Sequence, residues 1–120
     1  MLTMSDSILR DNSKELAKII IYLCRELKKR GVEGALVNQL LRSGTSIGAN
    51  IHEAQYAQGT KDFISKFEIA LKECNETDYW IIIMFETNSL TEDEYSDLHG
   101  RCVSIRRMLV SSVNTMKEKL

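Results

Sequence analysis

Apolar residues return along this chain at three- and four-residue steps in four separate stretches, with polar residues between them, which is the spacing of one buried helical face. The first stretch places Leu16, Ile19, Ile20, Leu23 and Leu27 together. Asn12 is set to cap it and Glu15 stands at the third helical position, so a helix is predicted over about residues 12–30. Gly31 and Gly34 bracket the turn that follows, and the residues before Asp11 stay open between an arm and an extra turn. The second stretch, Leu40, Gly44, Ile47, Ile51 and Ala54, predicts a helix over 35–57 that ends near Gly59, with Thr60 capping the next. Phe63, Phe67, Ala70, Cys74, Thr77, Ile81 and Met84 follow in alternating four- and three-residue steps, the rhythm of left-handed bundle packing, over 60–87. Thr91 with Glu94 spells a capping box for a fourth helix over 91–119, whose seam reads Leu98, Cys102, Ile105, Leu109, Ser112 and Met116.

Four helices of similar length joined by short connections can place neighbours only antiparallel. The expected fold is therefore all-α, an up-down-up-down four-helix bundle in a single domain. Composition agrees: 120 residues with 43% hydrophobic content suffice for one core, and there is no proline to interrupt a helix. The longest apolar runs fall far short of the ~20 residues that span a bilayer. Cys24, Cys74 and Cys102 are odd in number, widely spaced and set in apolar patterns, which suits reduced core thiols and a cytoplasmic setting. No signal-peptide pattern opens the chain.

Two features exceed what a bundle needs. Gly44 and Gly48 sit inside the second helix, where each costs about 1 kcal/mol against Ala, so close approach of another helix is the expected offset. Beside the apolar face of the same helix runs a polar stripe of Gln39, Arg42, Ser46, Asn50 and Glu53. Arg42 and Glu53 lie roughly 16 Å apart along the axis, too far to pair. Lys72, Glu76 and Asp78 of the third helix are the candidate partners, within a polar network at a helix or subunit interface. The third helix then carries Trp80-Ile-Ile-Ile-Met-Phe85, which at about 100° per residue wraps its whole circumference. Tyr79, Trp80, Ile82 and Ile83 extend outside the core stripe, as do Ile21 and Tyr22 on the first helix. Large apolar residues facing away from a core mark a partner surface, and a second copy of the chain is the expected partner.

The run Gln39-Leu-Leu-Arg-Ser-Gly-Thr-Ser-Ile-Gly-Ala-Asn-Ile-His-Glu-Ala54, then Asp62-Phe63-Ile64, Ala70-Leu71-Lys72-Glu73 and Glu76-Thr77-Asp78-Tyr79-Trp80, resembles the bacterial 23S rRNA intervening-sequence proteins. These are related to the accessory variability protein of diversity-generating retroelements. The resemblance implies a small antiparallel bundle that assembles into a homopentamer. For the accessory proteins it also implies contact with RNA or DNA and with a reverse transcriptase. Those proteins are strongly basic, whereas this chain carries a net charge of -1.

Catalytic and metal chemistry find no footing in the residues. Neither histidine completes the Glu-x-x-His pair of di-iron bundles, and in His52-Glu53-Ala-Gln-Tyr56 a tyrosine takes the place of a second zinc ligand. Both histidines read as exposed or partly buried imidazoles. Ser43, Ser46 and the cysteines have no histidine nearby in sequence to activate them. Basic charge gathers at Arg25, Lys28, Lys29 and Arg30, and at Arg101, Arg106 and Arg107, as candidate phosphate contacts. The competing reading of the first group is complementarity to the negative end of its own helix. The expected protein is thus a non-enzymatic, cytoplasmic homo-oligomeric module without cofactor or metal. The alternative is an RNA- or DNA-binding ring that serves an insertion element or a reverse transcriptase.

Overall fold

The computed structural model describes residues 3–120. Four helices form, α1 (Met4–Lys29), α2 (Gly34–Ala54), α3 (Thr60–Glu86) and α4 (Glu92–Lys117), each in contact with its chain neighbour, and α4 closes back on α1. The diagonal pairs make no close backbone approach, which is the arrangement of an up-down-up-down bundle, here a rod of 47 × 21 × 18 Å.

Helix α1 starts eight residues before the expected position. Its cap is Thr3, whose hydroxyl accepts from Asp6 N at 3.0 Å while Asp6 Oδ2 accepts from Thr3 N at 3.3 Å. Asn12 and Glu15 are exposed residues within the helix. The stripe extends downward through Leu9 and Ser13, both buried, and Ser13 tolerates full burial because its hydroxyl donates to Arg10 O at 2.9 Å. At the other end Gly31 takes φ 78°, and Val32 N reaches Leu27 O at 3.1 Å, a glycine-terminated helix stop. Thr60 is the first residue of α3 and not its cap, which is Gly59 without a side-chain bond. Helix α2 stops at Ala54, three residues early, and residues 55–57 tighten into i→i+3 turns. The Thr91–Glu94 box forms as expected.

Every residue of the α3 stripe is buried, and so are Leu40, Gly44, Ile47, Ile51 and Ala54 of α2. On α1 the buried line runs Leu16, Ile20, Cys24 and Leu27, with Ile19 and Leu23 only half-buried against it. The α4 seam drifts at its lower end: Val113 is buried where Ser112 and Met116 were expected, because 3.6 residues per turn rotates a long straight helix off a strict seven-residue repeat. Ser112 instead bonds the buried carboxylate of Asp6, tying α4 to α1.

The two glycines divide. A Cβ on Gly44 would fall well inside van der Waals contact distance of Ile20 Cδ1 and lie 3.1 Å from Ile20 Cγ2, so this position is tightly filled. At Gly48 the nearest atoms belong to Ser13, at 3.4 Å, which is ordinary contact. Close packing is thus enforced at Gly44, while Gly48 has room for a methyl group.

Candidate interaction surfaces

The outward faces of α1 and α3 carry the apolar excess. Tyr22 is 68% and Tyr79 53% exposed, while Ile21, Ile82 and Ile83 are half-buried without packing on the core. Ile83 lies about 200° from the stripe direction and is nevertheless half-buried. Trp80 behaves differently. It leans on the core edge, and its indole N–H donates to Glu76 Oε2 at 3.1 Å, with Tyr79 edge-on at 5.1 Å.

The polar stripe of α2 lies on the surface and not within a buried interface of this chain. Arg42, 46% exposed at its side chain, reaches Glu73 at 3.1 Å and Glu76, and its Nε donates to Gln39 Oε1 at 3.3 Å. Ser46 donates to Arg42 O at 2.6 Å and Asn50 to Ser46 O at 2.8 Å, so both satisfy themselves along their own helix. Glu53 pairs with Lys66 at 3.5 Å. Of the three expected partners on α3, only Glu76 meets the stripe. The indole of Trp80 and the guanidinium of Arg42 both bond it and hold its carboxyl below the usual range. Lys72 is exposed and forms no ion pair among the described residues. Asp78 faces α4, because two residues beyond Glu76 is 200° around the helix.

Asp78 lies at a site the sequence reading passed over. Its carboxylate, 8% exposed as a residue, contacts His99 Nδ1 at 2.7 Å and Arg106 at 4.0 Å, both from α4. Tyr95 stacks on His99 with centroids 5.4 Å apart and on Phe85 at 4.2 Å, covering the seam from outside. The available signal was Tyr95-x-x-x-His99, two flat rings at i,i+4 on one flank of α4.

The basic residues separate by what they touch. Arg30 forks onto Glu94 at 2.9 and 2.6 Å and also donates to Ser89 O; Arg101 pairs with Asp97 at 3.1 Å, and Arg106 with Asp78. Arg25 lies over the Tyr22 ring at 5.4 Å. Lys28 and Lys29, in the last turn of α1, and Arg107 on α4 form no ion pair among the described residues, and neither do Lys14 and Lys18. Helix α1 therefore carries five cations without an ion pair among the described residues, Lys14, Lys18, Arg25, Lys28 and Lys29, interspersed with the exposed carboxylates of Asp11, Glu15 and Glu26.

Residues 5–111 match the model of the 23S rRNA-intervening sequence protein family. The chain belongs to that family. The chain is also similar to a crystal structure of a protein with unknown function from the S23 ribosomal protein family of Bacteroides thetaiotaomicron VPI-5482. The two are 41% identical, with a TM-score of 0.89 over 92% of this chain and 99% of that one. A comparison with curated proteins gives no match. No helix of this family member is long and apolar enough to cross a membrane among the described residues.

One surface contact of this family member, Arg30 with Glu94, is expected to make stability depend on pH. Hydrogen bonds from Arg30 and from Thr91 N hold the Glu94 carboxyl down at about 2 from an ordinary 4.5, against partial burial. A carboxylate depressed by folding contributes stability above its unfolded value and loses it as pH falls through the folded one. The contribution is complete above pH 4.5 and gone near pH 2. Because the pair is partly solvated, it is worth about 1 kcal/mol. Arg30→Ala should lower the urea-unfolding free energy at pH 7 by that amount and at pH 3 by clearly less. An equal loss at both pH values would assign the effect of Arg30 to packing.

Proposed function

We propose that this protein is a non-enzymatic, homo-oligomeric assembly module of the cytoplasm, a pentamer as its family resemblance implies. The observation that supports the reading is the pair of outward apolar patches, exposed Tyr22 with half-buried Ile21 on α1 and exposed Tyr79 with half-buried Ile82 and Ile83 on α3, none of them packed on the core. Patches of this kind mark association surfaces in proteins that hold together by burying apolar area. Light scattering after gel filtration at micromolar concentration should return a multiple of the 13.7 kDa chain mass, with five as the expected multiple. A single-chain mass under these conditions rejects the reading.

A second reading, an RNA- or DNA-binding ring, is favoured by the unmatched cations Lys14, Lys18, Arg25, Lys28 and Lys29 on α1. They can neutralise phosphates without reading bases, since the exposed aromatic beside them, Tyr22, is already engaged by Arg25. Retention on duplex or single-stranded nucleic acid that falls steeply with salt would support it. Absence of retention at low salt would remove it.

A further inference from the structure

We infer that Cys74 and Cys102 form a reversible oxidation site, at which a peroxide converts the two thiols into a disulfide joining α3 to α4. Both sulfurs belong to one chain, so the inference stands apart from the assembly reading.

Geometry carries it. Cys74 of the α3 stripe and Cys102 of the α4 seam are both buried, and all three cysteines are free thiols. The Cys74 thiol donates to Cys102 O at 3.4 Å, and the two thiols are also hydrogen-bonded to each other. Sulfurs already in contact across two helices reach bonding distance by rotation about their side-chain bonds. Cys24 provides the comparison within the same core. It donates to Val37 O at 3.7 Å, and burial pushes it up to about 11.

A polar edge overlies the two sulfurs. Asp78 stands one turn beyond Cys74 on α3 and Arg106 one turn beyond Cys102 on α4, and His99 contacts Asp78 at 2.7 Å. The side chains of His99 and Arg106 are each 38% exposed, so solvent reaches the seam one turn from the sulfurs. Hydrogen peroxide is little larger than water. The same surroundings set the order of reaction, because the thiolate is the nucleophile. A hydrogen bond from the Cys102 thiol, supported by the Arg106 guanidinium, holds Cys74 below the ordinary thiol value against burial, while that bond and burial push Cys102 up.

The Cys74 thiolate therefore attacks first. Its sulfur bonds one peroxide oxygen, the O–O bond breaks, and the other oxygen takes up the proton that Cys74 lost and leaves as water. The Cys102 sulfur then attacks the Cys74 sulfenic acid: the S–S bond forms, the S–O bond breaks, and the hydroxyl leaves with the Cys102 proton as a second water. Two thiols are oxidised and one peroxide is reduced to two waters. Two equivalents of an external thiol reverse the bond by exchange and leave as their own disulfide. A transient disulfide of this kind is the form that suits a reducing compartment.

The test treats the folded parent chain with hydrogen peroxide near neutral pH, then denatures it for thiol counting and peptide mapping without reductant. Titratable thiols should fall from three to one, the survivor being Cys24, and one linked peptide pair should join Cys74 to Cys102 within a chain. Dithiothreitol should restore all three. Oxidation of Met4, 82% exposed, reports that the peroxide has acted. Cys24→Ala should form the same cross-link. Three intact thiols beside an oxidised Met4 would overturn the inference, and so would a disulfide that includes Cys24, or sulfinic acid at Cys74 without a cross-link.

Discussion

Ile81→Glu should unfold this protein, while Ile83→Glu, two residues along the same helix, should leave the fold in place. Ile81 is fully buried among the α2 and α4 side chains, and no cation faces it from the core cluster, which is apolar apart from serine and threonine hydroxyls and the edge carboxylates of Asp6 and Asp78. A carboxylate there must stay charged without a partner or take up a proton in an apolar site, at a cost of several kcal/mol in addition to the lost packing. Domains of this size hold on the order of 5–15 kcal/mol in total. Ile83 is half-buried and packs against no core residue, so its replacement should cost the monomer under about 1 kcal/mol. Far-ultraviolet circular dichroism with thermal melting separates the two. If Ile81→Glu melted like the parent, the assignment of the α3 stripe to the core would be wrong.

Gly44→Leu should destabilise by more than about 3 kcal/mol, although leucine is the better helix former by nearly 1 kcal/mol. Ile20 occupies the space that even a Cβ at position 44 would need, and Ile20 is itself fully buried between the helices, so it has nowhere to retreat. The α1–α2 seam would have to open along its length. Gly48→Ala provides the contrast within the same motif: its Cβ meets Ser13 at 3.4 Å, so the gain in helix propensity should survive as a rise in melting temperature. Chemical denaturation of the two variants checks both outcomes. A Gly44→Leu protein as stable as the parent would show that the helices tolerate a wider seam there.

The contrast between these glycines shows where the sequence stops being legible. Two glycines four residues apart announce a close helix approach, but that Gly44 meets the Ile20 side chain and Gly48 the backbone of Ser13 depends on how α1 is rotated, and the pattern of α2 alone does not contain that. The α3 stripe was readable in full because its alternating four- and three-residue steps leave one phase open. The start of α1 was not. Asn12 with Glu15 has the spacing of a capping box, and Asp6 and Ser13 interrupt the apolar line below it, although both are buried in the fold with their own bonds. The Asp78–His99 contact joins residues 21 positions apart on two helices, so it appears only once both are phased against each other. For the same reason the stripe partners Glu73 and Lys66 escaped notice, whereas Glu76 was found.

The bond between Asp6 and Ser112 spans 106 positions, and it lies in the thinnest of the four helix seams. The other three seams join helices that follow one another, and each can zip from its own short connection. Closing the α4–α1 seam requires the two ends of the chain to find each other, an entropic cost about 1 kcal/mol greater than for a hairpin of some thirty residues. Native-state hydrogen exchange should therefore find the α4–α1 seam opening at a lower free energy than the other three, and equal protection in all four seams would show that it does not. The lower end of α1, anchored by a threonine cap and one buried carboxylate, is the latch.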